Sequence, residues 1–231
     1  MDWLDALDFD REAAAIYWSC WANLPITVVR QDLARVPEHW LRFGTRHSPI
    51  TVSTRSAINP ANAILNYLYA ILEAETRTAC LTLGLDPGLG IWHADYRSRD
   101  SFVLDLMEAA RPDVDSHVLK LLTTRTFTRR EVGETSKGVC RLLPPLAQEL
   151  AQTTSKWREA IAPHAEHVVR LLARSPGTRI PKSPATPLTR ENRMRANPPR
   201  RRAARPSPEP VLCKRCHAYL PIAIGPTATS A

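Results

Sequence analysis

His93, Asp105 and Glu108 are the residues of this chain whose types and spacing could do chemistry. His93 closes a glycine- and proline-rich turn that begins at Gly84. Asp105 and Glu108 lie three residues apart, and on a helix that spacing puts both carboxylates on one face. Carboxylate oxygen with one imidazole is a donor set for Mg2+ or Mn2+, and the imidazole favours Mn2+. An ion held there would stabilise charge on phosphoryl oxygens and activate a water or a 3′-hydroxyl. The residues alone therefore imply metal-dependent phosphoryl transfer. No glycine-rich phosphate loop, Ser-His-Asp series or redox CxxC in a βαβ pattern competes with that reading. Taken singly, each residue also fits a plain helical core with a solvated acidic face.

Two helices and a turn must position this trio, and the stretch from Arg55 to Pro112 supplies them. Asn59 is a good N-cap type, and Pro60 follows where a first-turn proline is tolerated. From Ala61 to Leu83 the sequence is apolar almost all round (Ile64, Leu65, Tyr67, Leu68, Ile71, Leu72). Such a helix is central and buried. Gly84 ends it, and Asp86-Pro87-Gly88 reads as a turn. Ser101 can start the next helix, with Phe102, Leu104, Leu106 and Met107 as its apolar residues, and Arg111-Pro112 breaks it. Upstream, an alanine-rich helix is expected over Leu7 to Asn23, ended by Pro25. Val36 to Phe43 reads as a short helix with aromatic anchors.

The order NPANAILNYLYAILE, GLDPGLGIWHAD, RDSFVLDLMEAARPDVD resembles the helical catalytic domain of the CRISPR adaptation integrase, the CRISPR-associated endonuclease of spacer acquisition. The resemblance runs from about Asp10 to about Leu188. It implies a metal-dependent DNA endonuclease and integrase, in which a 3′-hydroxyl on a captured fragment attacks the CRISPR repeat. It implies DNA, a small adaptation partner protein and a second copy of the chain as partners. By the same resemblance Asp10, His93 and Glu108 are metal ligands, and Asp105 is a supporting or second-metal catalytic residue. The family carries a glutamate seven residues before the tyrosine of its matching helix, where this chain has Asp10 before Tyr17. Aspartate keeps the charge but is one methylene shorter, so either a shift of the helix compensates or Glu12, about two-thirds of a turn away, is the acid that reaches the site. Arg42, Arg46 and Arg55 fall in a segment that in the family lies close to the active site, and they are candidates for phosphate contacts.

The family also has an N-terminal β-rich domain that supplies its dimer interface, and no such domain precedes the helices in this sequence. Both ends are expected to be truncated. The alternative function is accordingly a catalytically weak DNA-binding remnant. A third reading is a zinc-ribbon module with a helical partner domain. It rests on Cys213 and Cys216 alone, a zinc-spaced pair that supplies half of a four-ligand site for Zn2+.

Composition bounds the rest. The 231 residues carry 44% hydrophobic residues, enough for a real core, and a net charge of +8. From Arg174 to Ala231 there are twelve Lys/Arg against two Asp/Glu, so the tail holds more than the whole surplus. The body is close to neutral, and DNA binding there rests on the resemblance and on local arginines. Eleven of the twenty prolines lie between Pro176 and Pro226, among arginines such as Arg200, Arg201, Arg202 and Arg205. That segment cannot bury enough apolar surface to fold. Five mostly isolated cysteines fit a reducing compartment. The acidic start lacks a signal peptide, and no apolar run is long enough to span a membrane, so the expected location is cytoplasmic.

After Pro112, Asp113 to Thr123 is expected to restart a helix, with Asp113 and Asp115 as cap and first-turn acids. Phe127 to Leu142 reads as a hairpin or loop, and Pro144 to Ala173 as closing helix, kinked or broken at Pro163. The expected architecture is all-α, a helical catalytic domain over 1–174. A disordered basic linker over 175–210 and an incomplete zinc knuckle over 211–231 follow it.

Overall fold

The computed structural model of the chain describes residues 3–46, 56–93 and 99–174, with side chains from Glu12 onward. It is mainly helical. The order is α1 (Trp3–Trp21), α2 (Pro60–Leu83), α3 (Ser101–Glu108), α4 (Arg111–Thr124), β1 (Val132–Glu134), β2 (Cys140–Leu142), α5 (Pro144–Ala151) and α6 (Thr154–Arg174). Single 3-10 turns at Leu33–Arg35 and Glu38–Trp40 lie between α1 and α2.

Helix α2 is the centre of the molecule, as its all-round apolar sequence requires. Ile64, Leu65, Leu68 and Leu72 are fully buried, and α3, α4, α5 and α6 all pack against it. Helix α6 answers with Trp157, Ile161, Ala165 and Val169, a buried stripe at four-residue spacing. Glu75 on α2 is buried and accepts from Arg158 Nε of α6 at 2.7 Å. Helix α4 contributes Val114, Val118 and Leu122.

The ends of α2 follow from local chemistry. The Asn59 side chain accepts from the Asn62 N–H at 2.9 Å, with Pro60 at the first helical position. The other end of that amide donates to the carbonyls of Phe43 and Arg42, at 2.5 and 3.1 Å. Asn59 thus caps α2 and pins the 42–45 segment to it, helped by Asn62 Nδ2 donating to the Thr45 carbonyl at 3.0 Å. Gly84, at φ 75°, ends the helix in the left-handed conformation that glycine adopts without strain. Asn59→Ala is expected to cost about 2 kcal/mol, a fall in Tm of about 4–8 °C for a chain of this size. A melt shifted by less than about 1 °C would show that the cap contributes little.

Three expectations change. The chain is mainly rather than purely α, because β1 and β2 pair antiparallel with Gly133 opposite Arg141. Gly138, at φ 69°, turns the chain between them. Second, Pro163 does not divide the closing segment. Helix α6 runs unbroken through it, and the break falls at Gln152 and Thr153 instead. Buried residues on both sides of the proline, Trp157 and Ile161 before it and Ala165 and Val169 after, hold the two halves on the same core. Third, the short helix expected over Val36 to Phe43 is a single 3-10 turn at Glu38–Trp40, and its aromatic anchors are as expected, with Trp40 buried and Phe43 beneath Trp18 and Trp21 at ring separations of 5.8 and 5.4 Å.

No helix among the described residues is long and apolar enough to cross a membrane. Helix α6 ends at Arg174; the basic linker, Cys213 and Cys216 lie outside the described residues, as does Arg55.

Candidate functional site

The turn between α2 and α3 is built to hold His93 still. Asp86 accepts from the Gly88 N–H through its side chain at 2.8 Å, an Asx turn. The Pro87 carbonyl then accepts from the N–H groups of Phe102 and Val103 at the start of α3, at 2.9 and 3.3 Å. Gly90 passes so close to the start of α3 that a side-chain carbon there would collide with the His93 carbonyl and with Cβ of Ser101. Glycine is needed at this point for close approach of two backbones.

From α3, Asp105 reaches back into the turn. Its carboxylate accepts the backbone N–H of Ile91, of Trp92 at 2.9 Å and of His93 at 2.8 Å. It also meets His93 Nδ1 at 2.6 Å. Burial alone would raise the Asp105 carboxyl. The donated hydrogen bonds from Trp92, Ile91 and the His93 ring outweigh it and hold the group below the usual aspartate value. In the neutral imidazole, a carboxylate at Nδ1 places the proton there and leaves the Nε2 lone pair for another partner. A histidine ligand held by a carboxylate at its other nitrogen is the usual support for a bound metal.

Glu108 lies one turn further along α3, on the face of Asp105. It is 45% exposed and pairs with Arg111 Nη1 at 2.7 Å. Arg111, the first residue of α4, also lies over the Tyr69 ring at 5.0 Å. The two carboxylates therefore have different tasks. Asp105 is spent on the turn and the imidazole, whereas Glu108 sits at the surface beside a guanidinium.

The donor chemistry of His93 Nε2 and Glu108 fits a divalent ion. Among the described residues no three His, Cys, Asp or Glu side chains come together as a complete metal site. Asp10 lies within α1, and its side chain falls outside the description. Arg46 is turned inward. Its Nη1 donates to the side-chain oxygens of Asn62 and Asn66, each at 3.3 Å, and its guanidinium stacks on Trp18 at 4.8 Å. Arg42 is exposed. A separate cleft of about 530 Å3, lined by residues including Arg35, Trp40, Arg129 and Glu134, shares no residue with the His93 cluster.

Asp115 corrects the sequence reading. It is not a solvated first-turn acid but a buried one, 7% exposed. Tyr17 of α1 donates to its Oδ2 at 2.9 Å, and Tyr69 of α2 donates to Oδ1. Asp113, by contrast, is exposed in the first turn of α4 as expected. A signal was present: Asp115 precedes Val118 by three residues and Leu122 by seven, so it falls within the buried stripe of α4.

Residues 4–156 match the family model described as CRISPR associated protein Cas1. A CRISPR-associated endonuclease Cas1 of Rhodospirillum rubrum is 33% identical over 150 residues, which is 64% of this chain and 38% of that protein. One from Archaeoglobus fulgidus is 41% identical over 108 residues, 46% of this chain and 31% of the relative. One from Pyrobaculum aerophilum is 51% identical over 100 residues, 43% of this chain and 34% of the relative. The chain thus spans roughly a third of the length of the curated relatives it matches. A solved casposase bound to integration product aligns with a TM-score of 0.47 at 28% identity, over 54% of this chain and 36% of that one.

Proposed function

This chain belongs to the CRISPR-associated Cas1 family, and from that premise we propose that it is a metal-dependent DNA endonuclease and integrase of spacer acquisition. The observation that carries the proposal is the Asp105 carboxylate on His93 Nδ1, which leaves Nε2 as a donor, with Glu108 one turn further along the same helix as Asp105. Asp10, His93 and Glu108 hold Mg2+ or Mn2+, and Asp105 fixes the imidazole. When bound, the ion supplies charge stabilisation at the phosphoryl oxygens and activation of the attacking oxygen.

The chain's own residues orient the reaction around that ion. The Asp105 hydrogen bonds hold His93 rigidly, so the imidazole does not have to be ordered when substrate binds. Arg111 offsets the charge of Glu108. Arg42 and Arg55 contact backbone phosphates of the DNA without reading its bases. In hydrolysis, water oxygen attacks phosphorus and the P–O3′ bond breaks. In integration, a 3′-hydroxyl of a captured fragment attacks instead, so one phosphodiester forms as one breaks and no other reactant is consumed. The substrates are DNA fragments and the CRISPR repeat, and the partners are a small adaptation protein and a second copy of the chain. Cytoplasm is the setting for this reaction. A Zn2+ at Cys213 and Cys216, which supply half of a four-ligand site, would belong to the tail and is separate from the Mg2+ or Mn2+ of the reaction.

The test is cleavage of a branched, labelled DNA by the purified chain. Mn2+ should support cutting, and EDTA should return it to background. A folded, soluble protein that does not cut with Mn2+ would favour the remnant reading, for which the aspartate at position 10 is the specific argument.

A further inference from the structure

Asp115 takes no part in the chemistry above, yet its carboxylate joins three helices. It lies on α4 and accepts from Tyr17 of α1 and Tyr69 of α2. Both acceptor oxygens are thus occupied, as a buried carboxylate requires. Arg46 and Arg111 lie over the Tyr69 ring at 5.6 and 5.0 Å and supply opposite charge nearby. Burial, then Asp115, push the Tyr17 hydroxyl up to about 12, which keeps it a proton donor.

The seating of α1 explains why this bond matters. Residues 12–16 are exposed. The buried part of the helix is its end, where Trp21 is 6% exposed and, with Trp18, packs on Phe43. Aromatic packing holds the helix end in place but is only weakly directional. The Tyr17 hydrogen bond is directional and fixes rotation about the helix axis. Tyr17 is also the described residue nearest the start of α1 whose side chain bonds another element. Asp10 lies seven residues before Tyr17, close to two full turns, so the two share a face. Turning α1 enough to break the Tyr17 bond would carry Asp10 round with it.

We propose that Asp115 is a positioning residue, which through Tyr17 sets the rotation of α1 and thereby presents Asp10 to the metal pair His93 and Glu108. This rests on the reading of Asp10 as the third metal ligand. Asp115 touches neither metal nor substrate. It acts through Tyr17 on one side, while the Tyr69–Arg111–Glu108 chain of contacts ties it to the exposed ligand on the other.

The test measures Mn2+ binding by the full chain, from the electron paramagnetic resonance signal of free Mn2+, beside the Tm in EDTA. Tyr17→Phe removes one hydroxyl and is expected to keep the fold. It should weaken Mn2+ binding about tenfold, in the range found when a residue supporting a metal ligand is lost. Asp115→Asn should weaken it at least as much, because it also disturbs the Tyr69 bond, and adding Tyr17→Phe to it should cost little more, because the link through Tyr17 is already broken. Asp10→Asn gives the reference loss. If Asp10→Asn weakens binding but Tyr17→Phe leaves it unchanged, even with a lowered Tm, Asp115 is structural only and the proposal is overturned. If Asp10→Asn itself leaves Mn2+ binding unchanged, the ligand assignment is wrong and the proposal falls with it. Should Asp115→Asn fail to fold, Tyr17→Phe still decides between these outcomes.

Discussion

Replacing His93 with alanine should reduce Mn2+-dependent DNA cleavage by about a thousandfold or more while leaving the fold intact. The magnitude follows from the ion, whose stabilisation of a phosphoryl transition state is several kcal/mol, and about 4 kcal/mol is a thousandfold in rate. The fold should survive because the turn is not held by the imidazole. Its backbone N–H groups, that of residue 93 included, would still donate to Asp105. The His93 side chain is 28% exposed, so its loss leaves no large cavity. The measurement is single-turnover cleavage of branched DNA with the melting curve alongside. Activity retained to within about tenfold, in a protein with an unchanged melt, would remove His93 from the metal site.

Asp105→Asn should be destabilising as well as inactivating, and this separates it from His93→Ala. The carboxylate receives three backbone N–H groups and faces the imidazole with a side chain only 10% exposed. An amide offers one oxygen in place of two, so at least one N–H loses its acceptor. Hydrogen bonds to charged groups are worth about 1.5–3 kcal/mol each, and because Ile91 and Trp92 are exposed, water takes up a backbone donor that loses its acceptor there. A loss of about 2 kcal/mol in urea unfolding is expected, with Mn2+ affinity down about 10–100-fold. Asp105 titrates below the usual aspartate value in the folded protein. Its contribution is therefore complete above the unfolded value of about 3.9 and is lost as pH falls through the lower, folded value. The stability gap between the native chain and Asp105→Asn should thus be constant near neutrality and close only under strongly acid conditions. A gap that closed between pH 5 and 7 would contradict the hydrogen-bond account.

Much of the fold was legible because its signals are local. Asn59-Pro60 and Gly84 mark the ends of α2 through capping and backbone preference, interactions that reach only a few residues. Ser101 and Arg111-Pro112 bracket α3 for the same reason. The all-round apolar stretch between Ile64 and Leu72 placed α2 at the centre, since only a helix packed on several sides can bury that surface. The three-residue spacing of Asp105 and Glu108 put both on one face, and the structure agrees.

The division of labour between those two carboxylates was not in the spacing. Asp105 became the anchor of the turn because residues 91–93 fold back over it, and Glu108 meets Arg111 because the helix ends between them. Arg46 read in the sequence as a candidate for phosphate contact, and only the fold put Asn62, Asn66 and Trp18 around it. Asp115 shows the limit most plainly. Its partners Tyr69 and Tyr17 are 46 and 98 residues away in sequence. Caps, turns and helical faces depend on neighbours within one or two turns, and the chain alone specifies them. A buried carboxylate's partners depend on which helices pack together, and they exist only once α1, α2 and α4 have met.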